Sequence, residues 1–131
     1  MSNYEKTILV VDDDHMVCAM IQDTLEDAGY KIIAFTDSIK AMEAVKTEDI
    51  ELIVSDYHMP DVSGLDLLKE VNKLQEELGK KMLVIILSAQ KDAMIALELV
   101  KHKAFAYQSK PLDIQKLLMD VSRAVTKLAL P

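Results

Sequence analysis

The sequence predicts an α/β fold, one parallel sheet with helices on both of its faces. Three observations predict it. Apolar runs and amphipathic stretches alternate five times along the 131 residues, and alternation at this spacing implies parallel strands joined by right-handed crossovers. Three of the runs (7–11, 52–54 and 83–87) are continuously apolar, as strands are when both faces are covered. The two remaining runs, 31–35 and 104–107, are mixed or short and suit the sheet edges.

Each element has a local reason. Thr7 to Val11 is an apolar strand that runs straight into Asp12-Asp13-Asp14. A helix follows, with Val17, Met20, Ile21, Leu25 and Ala28 on one face at three- and four-residue steps, and Gly29 is placed to end it. Lys31 to Phe35 is the second strand. Asp37-Ser38 supplies a cap for a helix bearing Ile39, Met42 and Val45. Ile50 to Asp56 is the third strand, and four residues beyond it Pro60 stops regular structure. Val62-Ser63-Gly64 leads into a helix with Leu65, Leu68, Val71, Leu74 and Leu78 in phase, ending near Gly79. Met82 to Leu87 is the fourth strand, with Ser88 at its end. Asp92 to His102 reads as a helix and Ala104 to Tyr107 as a short fifth strand. After Lys110-Pro111, Asp113 caps a last helix with Ile114, Leu117, Leu118, Val121, Val125 and Leu128 inward. The ranking of the strands implies the order 2-1-3-4-5, the flavodoxin-like doubly wound (βα)5 arrangement.

Composition narrows the function classes. The length fits a single domain, 1–131 with a core over about 6–128, that needs neither metal nor disulfide to hold together. A net charge of −7 argues against nucleic acid as a direct partner. There is no 18-residue apolar run to span a membrane and no secretory pattern at the start. One cysteine, Cys18, cannot pair internally, so a reducing cytoplasm is the expected setting and a buried, inert thiol the expected state. Proline after the last helix resembles the start of a linker at 129–131.

The chemistry gathers where strands end. In the 2-1-3-4-5 order the first and third strands are neighbours, and ligands bind at the carboxyl ends beside such a switch point. Asp12, Asp13 and Asp56 therefore share one crevice. Like charges that close need a cation, or one pKa rises, and a few carboxylates with water suit Mg²⁺. The hydroxyl of Ser88 and the ammonium of Lys110 follow strands four and five. An acidic metal pocket flanked by a hydroxyl and an ammonium suits a phosphoryl group, with one carboxylate as nucleophile. Each residue alone has a plainer role: a helix cap, a turn or a surface lysine. Capping does not explain all five at the ends of strands of one sheet.

The runs Val10-Val11-Asp12-Asp13-Asp14, Ser55-Asp56-Tyr57-His58-Met59-Pro60 with Ser63-Gly64, Leu87-Ser88-Ala89 and Tyr107-Gln108-Ser109-Lys110-Pro111 resemble, in this order and spacing, the receiver domains of two-component response regulators. The resemblance covers about Lys6 to Leu128. It implies that Asp56 accepts a phosphoryl group from a sensor histidine kinase or phosphotransfer protein. It further implies Mg²⁺ on Asp13, Asp56 and the backbone carbonyl of His58, with Asp12 helping. Ser88 would move toward the phosphoryl oxygens, Tyr107 would follow it inward, Lys110 would pair with the phosphoryl group, and Lys110-Pro111 would be a cis peptide. The surface of helix four, strand five and helix five would then act on an output domain or downstream protein, with a phosphorylation-dependent homodimer as one form of output. The result is a signalling switch with slow self-dephosphorylation, not a turnover enzyme. Phosphorylation adds about −1.5 to −2 charges at pH 7, which suits a two-state device.

Departures from the family's usual pattern are Lys103 for a glycine, which suggests a differently shaped end to helix four, Ala106 for a polar residue, and Gln108 for an apolar one. His58 and Gln90 occupy positions that in the family influence phosphoryl lifetime. His58 is read first as a surface side chain and second as one that orients water. Two other functions compete. A haloacid dehalogenase-like phosphatase would use Asp12 and Asp14, but Met16 stands where those enzymes want Thr or Val, and a late acidic pair is missing. A receiver-like module that is never phosphorylated is disfavoured by the full set of five site residues.

Overall fold

The computed structural model describes residues 4–89 and 93–131. Gln90 and the expected helix start at Asp92 lie outside the described residues. Five strands, β1 (Thr7–Val11), β2 (Lys31–Phe35), β3 (Ile50–Asp56), β4 (Leu83–Ser88) and β5 (Ala106–Ser109), alternate with α1 (His15–Asp27), α2 (Ser38–Thr47), α3 (Gly64–Leu78), α4 (Ala93–Lys101) and α5 (Ile114–Ala129). All pairings are parallel and the order is β2-β1-β3-β4-β5, as the ranking of apolar runs requires.

The period of two along each strand divides the interior into two layers. Leu9, Val11, Ile53, Val84 and Ile86 point toward α2, α3 and α4, where they meet Ala41, Val45, Leu67, Leu68, Val71 and Leu99. Ile8, Val10, Leu52, Val54, Ile85 and Leu87 point toward α1 and α5, against Ile21, Leu25, Leu117, Val121 and Leu128. Three side chains expected inward stand outside: Met20 is 41% exposed, Ile39 54% and Leu78 66%. In α1 and α2 smaller residues, Cys18 and Ala41, take the buried stripe instead. In α3 the stripe is set by Leu67 and Leu68 and stops at Leu74, one turn before the helix ends. Cys18 is buried, and burial pushes its thiol pKa up.

β5 begins two residues later than Ala104, and the reason lies in the turn before it. Lys103 adopts φ 66°. Its amide donates to Val100 O at 3.0 Å, and the Ala104 amide donates to Leu99 O at 2.9 Å, which is the Schellman closure of α4. Phe105 N then reaches Val84 O at 2.8 Å, and regular pairing starts at Ala106 opposite Ile85. Helix four therefore ends as a helix with a glycine there would, and the exposed Lys103 absorbs the departure as backbone strain. Lys103→Gly is expected to stabilise the fold by about 1 kcal/mol, read as a higher urea midpoint at unchanged slope.

Candidate functional site

The carboxyl ends of β1, β3, β4 and β5 bring the charged residues together. Val11 pairs with Ser55, so Asp12 and Asp56 leave neighbouring strands side by side. Asp12 is fully buried and Asp56 nearly so, whereas Asp13 is exposed. Ligand oxygens of Asp12, Asp13 and Asp56 lie within 4.8 Å of one another. Asp12 Oδ1 accepts from the Asp14 amide at 2.9 Å, which orients that carboxylate. Asp14 itself caps α1, accepting from Met16 and Val17.

Lys110 answers this charge from the end of β5. Its ammonium donates to Asp12 Oδ2 at 2.8 Å and lies 3.2 Å from Asp56 Oδ1. Its backbone amide donates to Ser88 O at 2.7 Å, so the lysine is held to the end of β4 as well as to the acids. The Lys110–Pro111 peptide is cis. Burial works to lower the ammonium's pKa, but Asp12 and Asp56 outweigh it and the net direction is up. For Asp56, burial and then the charge of Asp12 raise the pKa above the usual aspartate value, and Lys110 pulls the other way. The pocket therefore holds more negative charge than it can comfortably carry. Three carboxylates offering hard oxygen donors with part of their periphery open fit a divalent cation such as Mg²⁺.

The other neighbours of Asp56 are fixed by backbone contacts. Asp56 Oδ1 accepts from the Tyr57 amide at 3.0 Å, and that amide also donates to Leu87 O at 2.7 Å. The Gly64 amide donates to Tyr57 O at 2.9 Å, closing the loop between β3 and α3. Ser63 caps α3 through a capping box with Asp66. His58 is exposed and edge-on to the Tyr57 ring, with centroids 4.7 Å apart. Ser88 is buried at the end of β4, beside Ser109 of β5. Tyr107 is half-buried against the layer shared with α2, α3 and α4. Gln108 faces the other way: it is buried, and its amide donates to Asp120 of α5.

Two features were not read from the sequence. The Ser38 hydroxyl turns away from its own helix toward Pro60 and Val62, a pairing across more than twenty residues with no local signal. Gly64 faces the backbone of Asp56 itself, where a Cβ would stand 2.6 Å from Asp56 O.

Comparisons with known proteins agree with this arrangement. The family described as "Response regulator receiver domain" matches residues 8–122. Among curated relatives, the transcriptional regulatory protein ZraR of Klebsiella oxytoca is 32% identical over 95% of the chain and 27% of its own length. The DNA-binding transcriptional regulator NtrC of Azospirillum brasilense is 31% identical over 91% of the chain and 24% of its own length. The chain thus spans about a quarter of the length of these curated relatives. Among solved structures, a response regulator receiver domain protein from Clostridium thermocellum has a TM-score of 0.81 at 29% identity, covering 92% of this chain and 94% of its own. The receiver domain of the Francisella response regulator 1452 has a TM-score of 0.83 at 29% identity, covering 93% of this chain and 98% of its own.

Proposed function

Because the chain belongs to the response regulator receiver family, we propose that Asp56 is its phosphoryl acceptor and that Asp12, Asp13, Ser88, Tyr107 and Lys110 serve that event. The observation that carries the reading is the geometry of one half-buried ammonium between two buried carboxylates. Lys110 bridges Asp12 and Asp56 at 2.8 and 3.2 Å, a cation held where the phosphoryl oxygens would arrive.

The steps follow from these residues. Asp56 Oδ1 is engaged by the Tyr57 amide and Lys110, so Oδ2 is the oxygen that attacks phosphorus. The new P–O bond forms as the bond to the donor nitrogen of a phosphohistidine breaks, and the electron pair leaves with that nitrogen. Asp12, Asp13, Asp56 and the His58 carbonyl would hold Mg²⁺, which supplies charge neutralisation for the phosphoryl oxygens. Lys110 exchanges part of its pairing with Asp56 for the phosphoryl group, a charge-assisted contact. Ser88 donates to a phosphoryl oxygen, and Tyr107 follows into the space behind it. The switched surface of α4, β5 and α5 then acts on an output domain or a separate partner. A histidine kinase or phosphotransfer protein as donor and slow self-dephosphorylation complete the cycle. The chain is read as a single receiver unit. No described helix is long and apolar enough to cross a membrane, and a cytoplasmic setting accords with the family.

The test is direct. Protein incubated with Mg²⁺ and a small phosphodonor should gain one phosphoryl group by intact mass, and a chelator should prevent the gain. Asp56→Asn should not gain it. A gain that persists in Asp56→Asn would count against the reading. So would steady hydrolysis of an aryl phosphate that depends on Asp12 and not on Asp56, the behaviour of a phosphatase.

A further inference from the structure

Asp37 caps α2, accepting from the amides of Ile39 and Lys40, so the helix has no need of the adjoining hydroxyl of Ser38. That hydroxyl is buried, the residue being 5% exposed, and it faces the loop that follows the acceptor strand. Oγ donates to the Pro60 carbonyl and accepts from the Val62 amide at 3.3 Å. The same two groups bond each other, Val62 N to Pro60 O at 2.7 Å, around Asp61 at φ 69°. A bond from one residue to the next but one, closed around a positive φ, is the rare and strained form of γ-turn. A non-glycine residue persists there only when surrounding contacts hold it.

We infer that the Ser38 hydroxyl is a positioning residue, a latch that holds the 60–62 turn closed and so fixes the loop carrying His58 beside Asp56. The loop is pinned at its root by Tyr57 N to Leu87 O at 2.7 Å and Gly64 N to Tyr57 O at 2.9 Å. Ser38 pins its outer limb, from a different helix. Releasing that limb leaves the carboxylates in place, since Asp12 and Asp56 belong to strands and are tied to Lys110. It frees the His58 backbone, which is the loop's contribution to the cation site. The inference rests on the reading of Asp56 as acceptor with Mg²⁺ beside it.

Ser38→Ala removes the latch at nearly constant volume. The Mg²⁺ dissociation constant of the unphosphorylated protein, measured by calorimetry, should rise about fivefold, the scale of one net hydrogen bond. Phosphoryl gain from a small phosphodonor should fall by a similar factor at limiting Mg²⁺ and recover at saturating Mg²⁺. In metal-free protein, amide exchange should quicken over 58–62 and stay unchanged in β1 and β3. Glycine adopts positive φ freely, so in an Asp61→Gly background the same Ser38→Ala change should alter Mg²⁺ affinity less than about twofold. If Ser38→Ala is too unstable to measure, Ser38→Thr keeps the hydroxyl and should retain wild-type Mg²⁺ affinity and loop exchange, whereas Ser38→Gly, which lacks it, should show the loss. Equal Mg²⁺ affinity and equal loop exchange in wild type and Ser38→Ala overturn the latch alone. So does an equal loss in both Asp61 backgrounds. A wild-type protein that neither binds Mg²⁺ nor takes a phosphoryl group overturns the reading of the site and this inference with it.

Discussion

Lys110→Met should cost about 3 kcal/mol of folding stability at pH 7, the lower end of what removing one partner from a buried ion pair costs. Methionine keeps most of the aliphatic stem, so the loss isolates the ammonium. Without it, Asp12 stays fully buried next to a second buried carboxylate, and neither has the cation that stood 2.8 and 3.2 Å away. The pH dependence has a definite sign. Asp56 already titrates above its unfolded value because of burial and Asp12, and loss of Lys110 moves it further up. A carboxyl with a raised folded pKa favours the fold fully below its unfolded pKa of 3.8 and loses that contribution as pH rises through the folded value. The deficit of the variant relative to wild type should therefore be small near pH 4 and grow toward neutrality. Urea denaturation across this range measures it, and excess Mg²⁺ at pH 7 should recover part of it by mass action. A deficit equal at every pH would assign Lys110 to packing rather than charge.

Gly64→Ala is expected to be nearly as severe, about 3 kcal/mol, the upper end of overpacking costs. The added Cβ would meet Asp56 O at 2.6 Å, and both Ile86 Cδ1 and Tyr57 Cα at 3.1 Å. Two of those three atoms are backbone, which cannot rotate aside as a side chain would. Relief requires α3 to lift off the end of β3, stretching the Gly64–Tyr57 bond that closes the loop. The variant should lose stability by urea denaturation and also phosphorylate more slowly at equal folded fraction. Wild-type stability would mean that the start of α3 gives way easily.

Residues 8–11 and 52–54 were legible as strand interiors because burial on both faces leaves them continuously apolar. The site residues were legible for a related reason: Asp12, Asp56, Ser88 and Lys110 each stand at or just past a strand end, so the order of the sheet places them together. Helix faces were less so. Periodicity locates a stripe but not its centre, and Met20 and Ile39 lost the interior to Cys18 and Ala41. The start of β5 was misplaced because Ala104, although apolar, is taken up in closing α4, and Phe105 makes one bond to Val84 before regular pairing begins. Ser38 was invisible as a latch because its partners are backbone groups of a distant loop, and any sequence supplies those.

The bridge from Lys110 to Asp12 joins residues 98 positions apart, and this bears on how the molecule is made. Closing so long a stretch carries a large entropic cost that only the docked sheet offsets. During synthesis the acids emerge early and their cation late, in a chain whose earlier segments begin to fold first. Until β5 joins the sheet, the carboxylates face one another without their counter-ion and the pocket has no settled form. The acidic centre thus acquires its final shape only when nearly the whole polypeptide is assembled.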